Sequence, residues 1–267
     1  MYEILCALLL GIVEGLAEFL PISSTGHLIL VGHLLGYEGD AADTFKIVIQ
    51  LGAVLALLML YWKRYMTLLK DLLAFNFSAK KKLNAIHMII AMLPALIVYL
   101  ACKDFIKGTL FGPGPVLIGL IVGGVLLIIA ARSRRKVTAE ETDDITYKQA
   151  FGIGLFQCFS LWPGFSRSGS TISGGMLLGT SQKAAADFTF LISVPVMFGA
   201  TLLDLYDSRN SLTSDDLVLF LIGFVAAFVV AMIAVITFLK LIKRLGLEWF
   251  ALYRFVLAAL FYFIVMM

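Results

Sequence analysis

The chain has 267 residues, of which 61% are hydrophobic and 15% are charged, and its mean hydropathy is +0.97. These values exclude a soluble globular domain and indicate a membrane protein. The formal net charge of +3 says little by itself, because the distribution of charge matters more than its sum in a membrane protein. We expect no nucleic-acid partner.

Six stretches of the chain reach the length of about 20 largely apolar residues that a membrane-spanning helix needs. The apolar runs are continuous rather than alternating, so they predict helices and not the strands of a barrel. The predicted spans, in chain order, are Phe45–Trp62, Ala85–Cys102, Val116–Ala131, Phe188–Tyr206, Leu217–Leu239 and Phe250–Met267.

The sequence contains an internal repeat, which appears when position 11 is aligned with position 154. Residues 11–36 read GIVEGLAEFLPISSTGHLILVGHLLG, and residues 154–179 read GLFQCFSLWPGFSRSGSTISGGMLLG. Eight of the 26 aligned positions are identical, and four of these identities are glycines that keep the same spacing. Apolar bias explains shared leucines better than shared glycines, so we interpret the two segments as copies of one unit.

Each copy is interrupted at its middle, by LPISSTG in the first and by WPGFSRSG in the second. Proline removes a helix donor and glycine permits a turn, so neither copy is predicted to be a simple span. The arms after the breaks, Leu28–Leu35 and Thr171–Leu178, reach only about 12 Å as helix, against about 30 Å of hydrocarbon. We therefore predict two re-entrant hairpins, each of which turns at mid-depth and leaves on the side it entered.

The predicted fold class is an all-α integral membrane protein with an inverted-topology repeat. Each half is a re-entrant helical hairpin followed by three transmembrane helices, an arrangement familiar from secondary transporters. Because three spans separate the two hairpins, the hairpins should enter from opposite faces of the membrane. The tips of the hairpins should then meet near the midplane. We expect a single membrane domain over residues 1–267, with halves at about 1–131 and 147–267 joined by a solvated connector at 132–146.

Lysine and arginine counts predict the sidedness of the protein, because cytoplasmic loops hold the excess of these residues. The segments 63–82, 132–148 and 240–244 fall on one side and carry 6, 5 and 3 basic residues, together 14. The opposite side carries four, which are Lys46, Lys103, Lys107 and Arg209. We therefore expect both termini to lie outside the cytoplasm and the first hairpin to open outward.

Two carboxylates stand in the first copy of the repeat. Glu14 and Glu18 lie four residues apart on one helical face, where they repel each other unless a positive charge lies between them. Inserting each charged group at mid-membrane costs about 2.5 to 3.5 kcal/mol, and a structural role would not need both. We predict a site for a cation or a proton. The copies have diverged here, because Gln157 and Leu161 occupy the matching positions.

The two breaks carry groups that suit an anion. Helix starts offer free N–H groups and a favourable dipole, and Arg167 adds a planar fork that fits phosphate oxygens. The first break contains Ser23, Ser24, Thr25, Gly26 and His27, and the second contains Ser166, Arg167, Ser168, Ser170 and Thr171. With a divalent cation on Glu14 and Glu18, these groups predict phosphate chemistry in which a hydroxyl or a water attacks.

These motifs resemble those of a known family, the undecaprenyl pyrophosphate phosphatases of bacteria, which are associated with bacitracin resistance. The family motif (E/Q)xxxE, followed by proline and SSTGH, stands here as EGLAEFLPISSTGH, and PGxSRSxxT stands as PGFSRSGST from Pro163 to Thr171. The resemblance covers nearly the whole chain. It implies an integral membrane enzyme that hydrolyses the C55 lipid diphosphate to its monophosphate and so recycles the lipid carrier for peptidoglycan and other cell-wall polymers.

The resemblance also implies a divalent cation, with Mg²⁺ expected and Ca²⁺ as the alternative, and a site on the extracytoplasmic side of the bacterial plasma membrane. By motif, Glu14 and Glu18 are implied as metal and diphosphate ligands, and Ser24 as the nucleophile or its positioner. His27 is implied as acid/base and Arg167 as the phosphate clamp. The predicted catalytic residues are thus Glu18, Ser24, His27 and Arg167. The predicted substrate-binding residues are Glu14, Ser23, Thr25, Gly26, Gln157, Ser166, Ser168 and Thr171.

A transporter or flippase of a phosphorylated lipid or anion stays open, because inverted repeats are above all a transporter device. Ser24, His27 and the two glutamates distinguish a phosphatase from a transporter, since hydrolysis needs these residues and transport does not. The expected partners are the lipid diphosphate and the bilayer, and a homodimer is left undecided. Arg254, a few residues inside the last span, is expected to extend its charge to the cytoplasmic interface.

Overall fold

The computed structural model describes residues 1–37, 39–74, 83–207, 217–242 and 244–267. Within these residues the secondary structure is helical, apart from one isolated β-bridge between Ala139 and Thr180. The α-helices are α1 Tyr2–Ala17, α2 Ser24–Leu34, α3 Asp40–Leu60, α4 Trp62–Leu73, α5 Ala85–Phe105, α6 Pro113–Ala131, α7 Tyr147–Gln157, α8 Arg167–Leu177, α9 Gln182–Asp207, α10 Leu217–Leu241 and α11 Leu247–Phe261. Of the basic residues used to predict sidedness, Lys80, Lys81, Lys82, Arg209 and Lys243 lie outside the described residues.

Six of the described helical segments are long and apolar enough to cross a membrane. They are Ala42–Leu60, Ala85–Phe105, Pro113–Ala131, Gln182–Asp204, Leu217–Leu241 and Leu247–Met266. Each overlaps one of the spans predicted from composition. The prediction of an all-α integral membrane protein is confirmed.

The two interrupted segments fold back on themselves. In the first, the hydroxyl of Tyr2 at the start of α1 donates to the carbonyl of Leu35 at the end of α2, at 2.5 Å. In the second, the Gln149 amide in α7 donates to the carbonyl of Leu178 at the end of α8, at 3.2 Å. The two acceptors occupy matching positions of the repeat, so each hairpin returns the chain to the level at which it entered.

The helix starts after the two breaks have the same local geometry. Ser23 and Ser166, which occupy matching positions, have φ of 70° and 74°, and each hydroxyl accepts from a backbone N–H, that of Gly26 at 3.3 Å and that of Gly169 at 3.1 Å. A non-glycine residue in this region costs about 1–3 kcal/mol and persists only where its surroundings determine it. Ser23 and Ser166 thus share this unusual backbone conformation at matching positions, while the repeat and its inverted orientation in a bilayer stay a prediction.

The first hairpin packs against a helix of the other half. α1 runs alongside α10 in the same direction, because Gly11 lies against Gly223 and Gly15 lies against Ala227. A Cβ added to Gly15 would lie 2.7 Å from the carbonyl oxygen of Ala227. The glycines therefore set the close approach of the two helices.

Gly15→Ala is expected to lower the free energy of unfolding by about 1–3 kcal/mol, because the added methyl forces α1 away from α10. Thermal unfolding of the detergent-solubilised protein measures this as a fall in Tm. Gly199→Ala in α9 is the matched control, since a Cβ there meets nothing within 4 Å, and alanine favours a helix by about 0.5–1 kcal/mol. Equal Tm values for the two variants would contradict the packing argument.

The second hairpin enters from the opposite end of the bundle. α7 runs alongside α5 in the same direction, since Tyr147 stacks on His87 with centroids 4.0 Å apart and Gly154 lies against Ala91. The start of α5 adjoins the end of α3, because the Asp143 carboxylate accepts both from Arg64 after α3 and from the N–H of Leu83 before α5. α3 itself runs parallel to α10 and α1, with Phe45 and Ile49 against Gly223 and Met59 and Trp62 near Phe228.

The connector at 132–146 is more than a solvated loop. Ala139 is fully buried and Ile145 is 3% exposed, and both belong to a hydrophobic cluster. The backbone of Thr138 donates to Gly179 at 2.8 Å, and that of Ser181 donates to Ala139 at 2.8 Å. The solvated interpretation is therefore wrong for this part of the connector, because it pairs with the turn between α8 and α9.

Candidate functional site

The two breaks meet inside the bundle. Oε1 of Glu18 lies 2.9 Å from Nη2 of Arg167, and the two side chains are 7% and 11% exposed. The hydroxyl of Ser24 donates to the other oxygen of the same carboxylate. A second contact joins the breaks, since the hydroxyl of Ser168 donates to the carbonyl of Leu20 at 2.8 Å.

The charged residues of this contact lie at helix ends that do not favour them. Glu18 follows the last residue of α1, and Arg167 is the first residue of α8. A carboxylate at a helix C-terminus and a guanidinium at an N-terminus both oppose the helix dipole. The ion pair between Glu18 and Arg167 offsets that cost. Local helix stability therefore does not explain why these two residues occupy these positions. An anion near Arg167 would gain from both the guanidinium and the helix start.

A cavity of about 210 Å³ opens at this contact. Its lining is polar where the breaks face it and apolar where α9 closes it. The lining residues are Glu18, Ser23, Ser24, Thr25, Gln50, Ser160, Trp162, Pro163, Gly164, Ser166, Arg167, Val196, Met197 and Ala200. The volume is below the roughly 300–1,000 Å³ of pockets for drug-sized ligands, so the cavity suits a compact head group and not a long chain.

Several of these residues were missed by the sequence analysis. Gln50 brings an amide from α3, and Ser160 brings a hydroxyl from the second break. Val196 and Met197 come from α9 on the apolar side. The available signal was Gln50 itself, an amide inside a predicted span.

Two polar side chains are buried behind the cavity. Glu14 and Gln157 are each 1% exposed, and neither forms a side-chain hydrogen bond with any residue that the structure describes. They occupy matching positions of the repeat, and the carboxyl of Glu14 lies beside that of Glu18. Nη1 of Arg167 is also buried and has no hydrogen-bond partner in the described part of the chain. A buried polar atom without a hydrogen bond is costly, so these atoms indicate a place that a ligand completes.

This donor set fits a hard divalent cation. The free oxygens of Glu14 and the carboxylate of Glu18 are the ligand type that Mg²⁺ and Ca²⁺ take, and Mg²⁺ is commonly held by one or two carboxylates together with substrate phosphate. The described residues contain no group of three or more His, Cys, Asp or Glu side chains placed to hold a metal.

His27 lies away from the cavity lining. Its Nδ1 is 2.7 Å from the carbonyl of Ser23, and its Nε2 is 2.6 Å from the hydroxyl of Tyr253 in α11. A carbonyl can only accept, so in the neutral ring Nδ1 donates and Tyr253 donates to Nε2. The side chain that contacts the Ser24 hydroxyl is Glu18, not His27.

Three more predicted site residues support the breaks rather than line the cavity. Ser168 and Thr171 are fully buried, and the Thr171 hydroxyl donates to the carbonyl of Arg167 at 2.8 Å. Gly26 is buried against Leu120, whose nearest side-chain atom would lie 3.1 Å from an added Cβ.

Arg254 contradicts its sequence prediction. It does not extend to an interface, because it is fully buried and donates to four backbone carbonyls. The acceptors are Leu120 at 3.1 Å, Gly119 at 3.0 Å, Gly164 at 2.8 Å and Phe165 at 2.7 Å. Gly164 and Phe165 belong to the second break, where carbonyls lack helical partners and have no water to replace them. The guanidinium supplies donors to these carbonyls and so fixes the break that presents Arg167.

The fold and the site define a multi-pass α-helical membrane protein with an acid–arginine–serine cluster where two broken helical hairpins meet. The chain belongs to the bacitracin resistance protein BacA family, whose model matches residues 7–260. It is 55% identical over 263 residues to undecaprenyl-diphosphatase 1 of Bacillus anthracis, with 98% of each chain covered. Relatives of the same name from Bacillus cereus and Bacillus thuringiensis subsp. konkukian are 54% identical over the same length and coverage.

Proposed function

We propose that this protein hydrolyses undecaprenyl diphosphate to undecaprenyl phosphate and inorganic phosphate. The activity recycles the lipid carrier for peptidoglycan and other cell-wall polymers and confers bacitracin resistance. The observation that carries the proposal is the Glu18 carboxylate, which contacts Arg167 and Ser24 at once at the head of a small cavity. The family and the names of the relatives support the same activity.

The cavity supports binding of the diphosphate head group with the prenyl chain outside it. The terminal phosphate would lie at Arg167, whose unpaired Nη1 offers a donor, and at the N–H groups of the two helix starts. Val196 and Met197 form an apolar wall along which the chain would leave. Bonds from Arg167 that strengthen as charge develops on the phosphoryl oxygens would lower the barrier.

Ser24 is the nucleophile that the geometry favours. Its hydroxyl already donates to Glu18, so the carboxylate would accept the proton as Oγ attacks the terminal phosphorus. The bond from that phosphorus to the bridging oxygen breaks, and undecaprenyl phosphate leaves with the oxygen. Water then hydrolyses the phosphoserine, releasing phosphate and restoring the hydroxyl. In the alternative, a water held by Glu18 attacks directly, and trapping of a phosphoserine would separate the two routes.

Glu14 and Glu18 would hold the divalent cation, Mg²⁺ or Ca²⁺, which neutralises phosphate charge when bound. His27 would act through position, because its bonds to Ser23 and Tyr253 orient the residue next to Ser24. We place the protein in the bacterial plasma membrane with the cavity open to the extracytoplasmic side. The basic residues of the predicted loops, 14 on one side against four on the other, support that orientation.

Phosphate release by the purified, detergent-solubilised protein tests the function. Long-chain and short-chain prenyl diphosphates are assayed with Mg²⁺, with Ca²⁺ and after treatment with a chelator. We expect release from the C55 diphosphate, its loss on chelation and its recovery on adding metal back. Absence of release under every metal condition, from a protein that unfolds cooperatively, would favour transport of a phosphorylated lipid instead.

A further inference from the structure

Helix α4 presents an exposed apolar stripe that the function above does not use. Trp62, Leu69 and Leu73 are 51%, 46% and 70% exposed, and together with the half-buried Met66 they recur at helical spacing along one side. Leu68 faces the protein and is 4% exposed. The helix thus has an apolar side with no protein partner among the described residues.

A basic stripe runs beside the apolar one. Lys63 and Lys70 are exposed and lie two helical turns apart on the same side of α4, about 90° round from the apolar stripe. Neither ammonium group forms an ion pair with any residue that the structure describes. Arg64 is paired with Asp143, and Asp71, the carboxylate of this helix, lies further round on the Arg64 side. Two positive charges with no ion-pair partner among the described residues therefore lie along one side of the apolar stripe.

An apolar groove of about 270 Å³ lies next to the start of this helix. It runs between α3 and α10, both of which are spans, so its open side faces the hydrocarbon. Its lining residues are Leu55, Leu58, Met59, Trp62, Phe224, Val225 and Phe228. Trp62 belongs both to the groove and to the exposed stripe of α4, so the two features form one continuous apolar surface, and Lys63 and Lys70 lie beside its α4 part.

We propose that this surface binds an anionic phospholipid, with an acyl chain in the groove and the phosphate at Lys63 and Lys70. Charge complementarity favours this occupant, because a short amphipathic helix with lysines beside its apolar stripe binds the interface of an anionic membrane. Position agrees, since α4 begins at Trp62, just after the end of α3, and thus at the level where a span leaves the membrane. The residues are distinct from those of the phosphatase cavity.

Quenching of Trp62 fluorescence by brominated lipids tests the proposal. A Trp162→Phe, Trp249→Phe variant leaves Trp62 as the single tryptophan and is reconstituted with lipids bearing brominated chains, either phosphatidylglycerol or phosphatidylcholine. We expect phosphatidylglycerol to be preferred at Trp62 by at least about fivefold. Lys63→Gln with Lys70→Gln should bring the preference close to one. Arg134→Gln with Lys136→Gln, which removes two exposed charges from the connector, should leave it unchanged.

A second measurement avoids the tryptophan substitutions. Added phosphatidylglycerol, but not phosphatidylcholine, should raise the Tm of the otherwise unchanged protein in detergent, and the two lysine substitutions should remove that rise. Equal quenching by both lipids would leave only annular lipid at the groove and would overturn the proposal. Absence of quenching by either lipid would also overturn the proposal, because that result is expected if a second copy of the chain covers the groove.

Discussion

Glu18→Gln protein is expected to release phosphate from undecaprenyl diphosphate at least about a hundredfold more slowly than the unchanged protein. The substitution keeps the shape of the side chain but removes the charge that pairs with Arg167 and the base that accepts from Ser24. A steady-state phosphate-release assay measures the rate, and a cooperative thermal unfolding transition shows that the variant is folded. Glu3→Gln, at an exposed carboxylate in the first turn of α1, is the matched control and should retain the rate.

Substitution of Arg167 separates charge from shape. Arg167→Ala should abolish phosphate release, because the guanidinium no longer stabilises the charge that develops on the phosphoryl oxygens. Arg167→Lys should retain a small fraction of the rate, since an ammonium keeps the charge but loses the planar fork. Full release by the alanine variant would refute the assignment of Arg167 to the phosphate. Release by Glu18→Gln at the original rate would likewise remove Glu18 from the chemistry.

Arg254→Met is expected to lower the free energy of unfolding by more than about 3 kcal/mol, although Arg254 does not line the cavity. Methionine fills much of the space but donates no hydrogen bond, so the carbonyls of Gly119, Leu120, Gly164 and Phe165 lose their partner in a buried place. The expected readout is a large fall in Tm with a parallel loss of phosphate release. The Tm of Arg254→Lys should lie between those of Arg254→Met and the unchanged protein, because the three donors of a compact ammonium group cannot reach all four carbonyl acceptors.

Arg132→Met serves as the control for that prediction, since Arg132 is exposed at the end of α6 and should tolerate the change. A second variant reaches the same contact from its other side. A Cβ at Gly123 would overlap the Arg254 guanidinium, so Gly123→Ala should displace the arginine and lower Tm as well. If neither Arg254→Met nor Gly123→Ala changed Tm, the buried guanidinium would have no part in holding the second break.

The sequence predicted most of the architecture because the signals for it are local. Apolar length located the spans, and the shared glycines and the interruptions located both hairpins. Glu18 and Arg167 are far apart in the chain, but they were expected to lie close together because the two hairpins were predicted to enter from opposite faces and meet at their tips. The observed contact between the two side chains agrees with that expectation. A repeat and a parity argument can therefore predict a long-range contact when the repeating unit is itself interrupted.

The remaining features depend on partners that sequence spacing does not reveal. Arg254 is bonded to carbonyls in α6 and in the second break, both remote from it in the chain, and an arginine near a span end is by default expected to reach the interface. The imidazole of His27 faces Tyr253, near the opposite end of the sequence, so its motif position gave no sign of where it points. The buried part of the connector was missed for the same reason, because its partners lie between α8 and α9.

The packing of α1 on α10 has a consequence for how the chain is assembled. α1 ends at Ala17 and α10 begins at Leu217, so most of the chain is synthesised before the principal neighbour of the first helix appears. Both glutamates of the site therefore emerge long before the surfaces that enclose them, and such distant contacts are slow to form. During biosynthesis the first hairpin therefore lacks its α10 neighbour until the second half of the protein has been inserted into the membrane.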